Sequence, residues 1–155
     1  IPKTVLPGLD ELDFALLQLE RDIATVSLGM ETPVTGKNSD EPQRAWLAFA
    51  AGCEFAPNSP LWIMQHPKAL PLKLALATNS VEQLNQNKTR VTYRTNTEKG
   101  SSGSPVFDQN WNLVALHHMG DPDWFNPTHN EGIPVAAIHT YLKASNQHTK
   151  IGRQK

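Results

Sequence analysis

Cysteine is nearly absent from this sequence of 155 residues, because Cys53 is the only one. A single cysteine cannot form an internal disulfide, and small secreted domains usually carry several. The composition therefore favours a reducing compartment such as the cytoplasm. Long apolar runs are missing too, since each ends well short of the ~20 residues of a membrane span, and the first residues show no signal-peptide pattern. We expect no membrane partner.

An excess of charge is also lacking. The chain has 14 Lys and Arg against 15 Asp and Glu, a net charge of -1 with histidine neutral. No basic run is long enough to neutralise a row of phosphates, which argues against nucleic acid as a partner. No His, Cys and carboxylate spacing typical of a zinc site is present, and the adjacent His117 and His118 would point to opposite faces of a strand. We therefore predict no metal and no cofactor.

Short apolar segments separated by turn-forming clusters make up most of the chain, a pattern typical of an all-β domain. Runs of this kind lie at 44–52, 60–67, 70–78 and 89–95, and the stretch 104–118 reads as a hairpin around Asp108–Asn110. The clusters at 79–87 and 121–132 read as turn and loop. Apolar residues at helical spacing in "VAAIHTYLKAS" predict a C-terminal helix. The length suits one domain.

The segment "GLDELDFALLQLERD" gives an ambiguous signal. Leu9, Leu12, Leu16 and Leu19 recur at spacings of three and four, which by periodicity alone indicates an amphipathic helix.

The run "GSSGSP" carries the clearest chemical signal. It has the form Gly-x-Ser-Gly-x-Pro, in which glycines let the backbone turn tightly, so that consecutive N–H groups point to one spot beside the Ser102 hydroxyl. Acyl transfer needs a nucleophile and an oxyanion hole of this kind. A Gly-Ser run taken alone is equally typical of a loop between strands.

The residues after this run decide between the two readings. "GSSGSPVFDQNWNLVALHHMG" resembles the nucleophile region of trypsin-like serine peptidases with the chymotrypsin fold, a double β-barrel. "LDFALLQL" is similar to the segment in which that family carries the aspartate that orients the catalytic histidine. Asp13 would be that aspartate. Because the family has a strand there, the resemblance predicts a strand at 12–19 against the helical periodicity.

The resemblance assigns roles to further residues. Ser102 would be the nucleophile, and the backbone N–H groups of Gly100 and Ser102 would form the oxyanion hole. The stretch from His118 to Gly120 would lie along the edge that pairs with the substrate backbone. Gly132 would line the wall of the primary specificity pocket.

The sequence has no counterpart of the family's catalytic histidine at the expected distance before Asp13. In this family it precedes the aspartate by several tens of residues, whereas 12 residues precede Asp13. We expect it to come from an upstream segment, in the same polypeptide or a separate chain. Residues 1–38 would then hold the last strands of the first barrel and a linker, 39–146 the complete second barrel with its C-terminal helix, and 147–155 a polar tail.

Two details of the resemblance concern activation and specificity. Ser101 stands where digestive trypsins have an aspartate that receives the new N-terminal ammonium, so activation of that kind is not expected. Thr97 and His117 match, in their offsets from Ser102, the residues with which glutamyl endopeptidases hold an acidic side chain. Cleavage of proteins or peptides after Glu or Asp is expected, with a preference that falls as pH rises and the imidazole loses its charge.

Two other interpretations stay open. A pocket lined by His117 would also suit a small or apolar residue. The chain would also suit a peptidase scaffold that has lost its base and binds peptide or protein segments without cleaving them.

Overall fold

The centre of the molecule is one seven-stranded sheet in which neighbouring strands are antiparallel. A computed structural model describes residues 6–28, 42, 44–47, 52–121 and 128–147. Its elements are β1 Leu61–Gln65, β2 Lys73–Ala77, β3 Val81–Leu84, β4 Val91–Tyr93, β5 Pro105–Phe107, β6 Leu113–Gly120, β7 Asn130–Pro134, α1 Val135–Ala144, and 3-10 turns at Ile23–Thr25 and Pro67–Ala69. The prediction of an all-β domain with a C-terminal helix is confirmed.

The sheet order is β2-β1-β5-β6-β7-β4-β3, and the sheet curls back on itself. The Ser59 carbonyl, just before β1, accepts hydrogen bonds from the N–H groups of Ser80 and Val81 at 3.1 and 3.0 Å. The Asn58 N–H donates to the Val81 carbonyl at 2.7 Å. These bonds bring the start of edge strand β3 to the start of β1, so the sheet forms part of a barrel.

Buried and more exposed residues alternate along the strands, and the buried ones form the core inside the curled sheet. Leu61 and Ile63 of β1, Val91 and Tyr93 of β4, and Val106 of β5 are at most 2% exposed. Burying an aliphatic side chain of this size stabilises the fold by about 1.5–3 kcal/mol. A second cluster lies on the outside, where α1 packs its apolar face against residues of β6 and β7.

The segment 11–19 is neither strand nor helix in this structure. A strand needs a neighbour that shares its hydrogen bonds, and among the described residues none pairs with this segment. Leu12 and Phe14 instead pack against the second cluster, and the Phe14 ring meets that of Tyr141 edge-on, with centroids 5.8 Å apart. The predicted strand at 12–19 is therefore wrong for the described structure, and so is the helix.

Two real strands fall in segments that were predicted as turn or loop. β3 lies within 79–87 and pairs with β4, and β7 begins at Asn130, inside the predicted loop 121–132. Conversely, 44–47 and Gly52 of the predicted strand 44–52 are not in a strand, and 48–51 lie outside the described residues. No helix in the described part of the chain is long and apolar enough to span a membrane.

Candidate active site

Ser102 lies at the exposed tip of a tight turn before β5. Gly100 and Gly103 flank it with φ angles of 92° and 84°, a conformation that glycine adopts without steric cost. The Ser104 N–H donates to the Ser101 carbonyl at 3.0 Å, and the Gly103 N–H donates to the His117 carbonyl at 2.7 Å. The turn therefore exposes the Ser102 side chain to solvent, and its backbone is fixed to β6 through the bond to His117.

The backbone N–H groups of Gly100 and Ser102 are both available to a ligand. Within the described residues neither group donates a hydrogen bond. The carbonyl of Lys99 accepts from the Lys68 N–H at 2.7 Å. In a trans peptide the N–H points opposite to the carbonyl, so this bond turns the Gly100 N–H away from Lys68. The assignment of these two donors to an oxyanion hole stays a prediction.

The turn that holds the Lys99 carbonyl has an unusual backbone. Lys68 and Ala69 have φ angles of 54° and 57°, in the left-handed region that disfavours residues with a Cβ atom. A Cβ on Gly100 would lie 3.4 Å from both the His66 carbonyl oxygen and the Lys68 nitrogen. Gly100 is therefore needed for its conformation and for its close approach to this turn.

Ser101 points inward, away from Ser102, into a buried polar contact. Its Oγ donates to the Oε1 of Gln65 at 2.6 Å, and the Nε2 of Gln65 donates to the Asn96 carbonyl at 3.0 Å. Ser101 is 0% exposed and Gln65 is 5% exposed. A neutral hydrogen bond to β1 thus anchors the turn at the position where digestive trypsins have an aspartate.

Ser102 and Asp13 meet on two sides of His118. The Ser102 Oγ donates to the His118 carbonyl at 3.0 Å, and the His118 Nδ1 lies 2.8 Å from the Asp13 Oδ2. A β-bulge between His117 and Met119 takes His118 out of the regular register with β7. Bulges re-aim side chains, and here the imidazole points to the N-terminal segment. Two predicted site residues from distant parts of the sequence are therefore neighbours.

The His118 imidazole is not placed to act as a base for Ser102. Its Nδ1 faces Asp13, and its Nε2 lies 3.7 Å from the Glu131 Oε1, which is 3.2 Å from the Arg90 Nε. In the part of the chain that the structure describes, the Ser102 hydroxyl makes no hydrogen bond to an imidazole. The origin of the triad histidine in an upstream segment stays a prediction.

Thr97 and Gly120 meet at Asn130, at the start of β7. The Thr97 Oγ1 donates to the Asn130 Oδ1 at 2.7 Å, and the Asn130 Nδ2 donates to the Thr95 carbonyl at 2.9 Å. Gly120 pairs with Asn130 across the β6–β7 ladder, and a Cβ there would lie 3.4 Å from the Asn130 Oδ1. The sequence analysis missed Asn130, because it lies in the segment read as a loop.

His117 is buried against Tyr93 rather than open to solvent. It is 4% exposed, and its Nδ1 lies 2.7 Å from the Tyr93 hydroxyl. Burial, with a smaller contribution from His118, lowers the pKa of His117 from its ordinary 6.5 to about 4. Burial and then Glu131 raise the pKa of Tyr93 above its usual range. The imidazole is therefore neutral at physiological pH, and the expectation that its charge is lost near neutrality is wrong.

Gly132 lies beside this pair, opposite His117 in the ladder. A Cβ on Gly132 would come within 3.1 Å of the Tyr93 Cε1 and of the Leu116 carbonyl oxygen. The close packing of the Tyr93 ring thus explains why glycine occupies this position. Tyr93 lies in the run 89–95, which was predicted as a strand and not as part of the site.

Gln65 also escaped the sequence analysis, although a signal was present. It continues the buried alternation of Leu61 and Ile63 in β1. A polar residue on the inward face of a strand must find a buried hydrogen-bonding partner.

Comparison with known proteins identifies the family of this chain. The family described as the trypsin-like peptidase domain matches residues 2–116, most of the chain. The chain therefore belongs to the trypsin-like peptidase domain family, and it has the chymotrypsin-like fold expected of a member. The match includes Asp13 and Ser102 and ends one residue before His117.

Individual relatives are similar over shorter stretches. The serine protease FAM111A of Mus musculus is 51% identical over 41 residues, 26% of this chain and 7% of that protein. The protein y4fB of Sinorhizobium fredii (strain NBRC 101917 / NGR234) is 35% identical over 66 residues, 39% of this chain and 10% of that protein. These matches thus span a tenth or less of either relative's length.

Among solved structures, an inactive serine-to-alanine mutant of Rv3671c from M. tuberculosis H37Rv is similar, with a TM-score of 0.48 and 16% identity. That match covers 70% of this chain and 54% of the other.

Proposed function

We propose that this chain supplies the nucleophile, the oxyanion hole and the orienting aspartate of a serine endopeptidase. Ser102 would be the nucleophile, the N–H groups of Gly100 and Ser102 the oxyanion donors, and Asp13 the aspartate. The general base is a histidine outside residues 1–155. The observation that supports the proposal is that Ser102 bonds the backbone carbonyl of His118 and Asp13 contacts the imidazole of the same residue.

The mechanism follows from these positions. The Ser102 Oγ gives up its bond to the His118 carbonyl, passes its proton to the incoming imidazole and attacks the substrate carbonyl carbon. The negative charge that forms on the carbonyl oxygen is stabilised by the two backbone N–H groups, each worth about 3 kcal/mol in the transition state. Asp13 holds the imidazole in the tautomer that accepts the proton, and the same ring then protonates the leaving amine.

His118 leaves part of the Asp13 carboxylate available for this task. Only the Oδ2 of Asp13 contacts His118, and the Asp13 side chain is 72% exposed. A carboxylate accepts several hydrogen bonds, so a second imidazole can bind beside the first.

The same proposal includes cleavage after Glu or Asp. When the Tyr93 hydroxyl donates to the His117 Nδ1, the neutral ring carries its proton on Nε2 and can donate it to a carboxylate. The Thr97 hydroxyl offers a second donor if it rotates from Asn130 to the substrate. A carboxylate that leaves water must regain such hydrogen bonds. Because the ring stays neutral, the acid preference in kcat/KM should be constant between pH 6 and pH 8.

One observation favours a second candidate function. The Ser102 hydroxyl donates to a carbonyl instead of an imidazole, as it would in a scaffold that binds peptides without cleaving them. Such a protein would retain the edge of β6 beyond His117, whose N–H and carbonyl are still bonded to Ser104 and Gly103.

Peptidase assays separate the two candidates. Residues 1–155 alone should hydrolyse peptides negligibly, whereas the full-length protein, or the chain combined with its upstream segment, should show activity that Ser102→Ala abolishes. Full activity of the isolated chain, or activity that survives Ser102→Ala, would refute the proposal. Peptide binding without any turnover would favour the binding scaffold. A peptide library decides the specificity: a dominant basic residue at the cleaved position would contradict cleavage after Glu or Asp. An acid preference untouched by His117→Ala would contradict the role of His117 in that preference.

A further inference from the structure

The two end strands of the sheet differ in how their outer edges are protected. Edge strand β3 carries Glu82, which pairs with Arg94 at 2.8 Å, and its register with β4 shifts between Val81 and Gln83. Charge and irregular register are two devices that keep an edge strand from pairing with another chain. The hydrogen bonds to the Ser59 carbonyl also cover the start of this strand. Edge strand β3 is therefore a poor template for a further strand.

Edge strand β2, at the other end of the sheet, has little of this protection. It pairs with β1 over five consecutive residues without a shift of register, and no other described strand is hydrogen-bonded to it. Leu74 and Leu76 are 47% and 60% exposed, and Lys73 is the only charged residue of the strand. Alternate residues of an edge strand direct both the N–H and the C=O away from the neighbouring strand. β2 therefore presents backbone donors and acceptors beside exposed leucine side chains.

The apolar surface of β2 continues onto the next strand. Leu76 is opposite Trp62 and Leu74 is opposite Met64 in the β1–β2 register, so these four side chains share the outer face of the sheet. The Trp62 ring meets that of Trp111 edge-on, with centroids 4.8 Å apart, and Trp111 is 49% exposed. A contiguous exposed apolar surface is typical of a protein interaction site.

The register and the charges of β2 indicate which partner fits this edge. When two copies of β2 lie antiparallel about a two-fold axis at Ala75, Leu74 of each copy is opposite Leu76 of the other, on the same face. Lys73 is then opposite Ala77, so no like charges meet across the pair. The strand therefore complements a second copy of itself in its backbone groups, its leucines and its charges.

We propose that this protein forms a symmetric dimer in which the β2 strands of two copies pair edge to edge. The two sheets would become one continuous sheet across the two-fold axis, and leucines of both copies would lose contact with water. The proposal does not depend on Ser102 as a nucleophile. An interface made of one strand pair and its flanking leucines is smaller than the ~1,600 Å² of a standard complex. We therefore expect a dimer that dissociates on dilution in the micromolar range.

Single charges on β2 provide the test. Leu76→Glu and Leu74→Lys are made in the full-length protein, and Gln83→Glu on β3 is the matched control, since Gln83 is also exposed in an end strand. Urea denaturation checks that each variant folds, and analytical ultracentrifugation measures the dissociation constant of the dimer. Each β2 variant should raise that constant about a hundredfold, because its charge would be desolvated against leucine. Gln83→Glu should change it by no more than about twofold.

A mixture of the two β2 variants tests the register. When Leu76→Glu and Leu74→Lys proteins are combined in equal amounts, the two introduced charges are opposite each other and differ in sign. The dissociation constant of the mixed dimer should return to within about tenfold of that of the unsubstituted protein. This recovery would support antiparallel pairing about Ala75, and a mixture that associates no better than its components would contradict it.

The unsubstituted protein supplies the remaining outcomes. A full-length protein that stays monomeric at all accessible concentrations overturns the proposal. If Leu76→Glu also lowers the urea midpoint of that monomer, an upstream segment of the same chain covers β2 in place of a second copy. A dimer that Gln83→Glu weakens as much as Leu76→Glu, or that neither β2 variant weakens, overturns the proposal as well, because its interface then lies elsewhere.

Discussion

The buried contact between Ser101 and Gln65 gives a stability prediction that can be worked out from the structure. Ser101→Ala removes the donor of a 2.6 Å hydrogen bond and leaves the Gln65 Oε1 buried without that partner. Removing one partner of a buried pair costs about 1–3 kcal/mol, more than the bond itself contributes, because the remaining group stays desolvated. We expect Ser101→Ala to lower the free energy of unfolding by about 2 kcal/mol. Urea denaturation followed by tryptophan fluorescence measures it.

The neighbouring serine is the matched control. Ser102→Ala deletes the same atom one residue later, but at an exposed position, and should change the free energy of unfolding by less than about 0.5 kcal/mol. Adding Gln65→Leu completes a double-mutant cycle. The coupling between Ser101 and Gln65 should be about 1–2 kcal/mol, since the two side chains lose one shared bond. If Ser101→Ala costs no more than Ser102→Ala, or if the two substitutions are additive, the buried contact does not anchor the turn.

Three further predictions concern single residues. Asp13→Asn in the complete enzyme should lower kcat by about 10⁴ without shifting the urea midpoint, because the amide favours the wrong imidazole tautomer; unchanged kinetics would make Asp13 an ordinary surface acid. Between pH 7 and pH 5 the free energy of unfolding should fall by about 2 kcal/mol. The reason is that His117 in the unfolded chain binds a proton below its ordinary pKa of 6.5, whereas His117 in the folded chain does so only near pH 4. His117→Gln should remove that part of the pH dependence. Ala69→Gly should raise the free energy of unfolding by about 0.5–1 kcal/mol because φ is 57° at Ala69, whereas Ala75→Gly within β2 should lower it. The opposite order in thermal or urea unfolding would contradict the left-handed conformation of Ala69.

Much of the sheet could be predicted from the sequence because its strands carry the signal locally. β1 lies in a continuous apolar run, β4 alternates apolar and polar residues, and the β5–β6 hairpin has a polar turn between two apolar runs. β7 has no such local signal. Its buried residues include Gly132, which has no side chain to add to an apolar pattern and which packs closely against the Tyr93 ring. The strand predicted at 12–19 rested on resemblance to the family, and it failed because a strand requires a hydrogen-bonding partner, which the described residues do not provide for this segment.

The residues of the candidate site also differ in whether the sequence could predict them. Ser102 and its glycines were predictable because the turn needs those residue types at those spacings. Asp13 came from resemblance, and its proximity to His118 depends on a bulge that no local pattern announces. Asn130 and Gln65 are polar residues whose partners lie more than 30 positions away in the chain. Tertiary structure brings such pairs together, so a single sequence contains little information about them.

The bonds that fix the Ser102 turn have a consequence for the order in which the molecule folds. They run through Gln65 and Lys68 to β1 and the turn directly after it, and through His117 to β6, so two separately formed pieces of the sheet must already be docked. Contacts between distant parts of a chain form late, after their loop-closure entropy has been overcome. A partly folded chain with only its hairpins in place would therefore lack the turn that presents Ser102, the candidate nucleophile. On gentle denaturation, capacity to react with a serine-directed reagent should disappear before the hairpins themselves unfold.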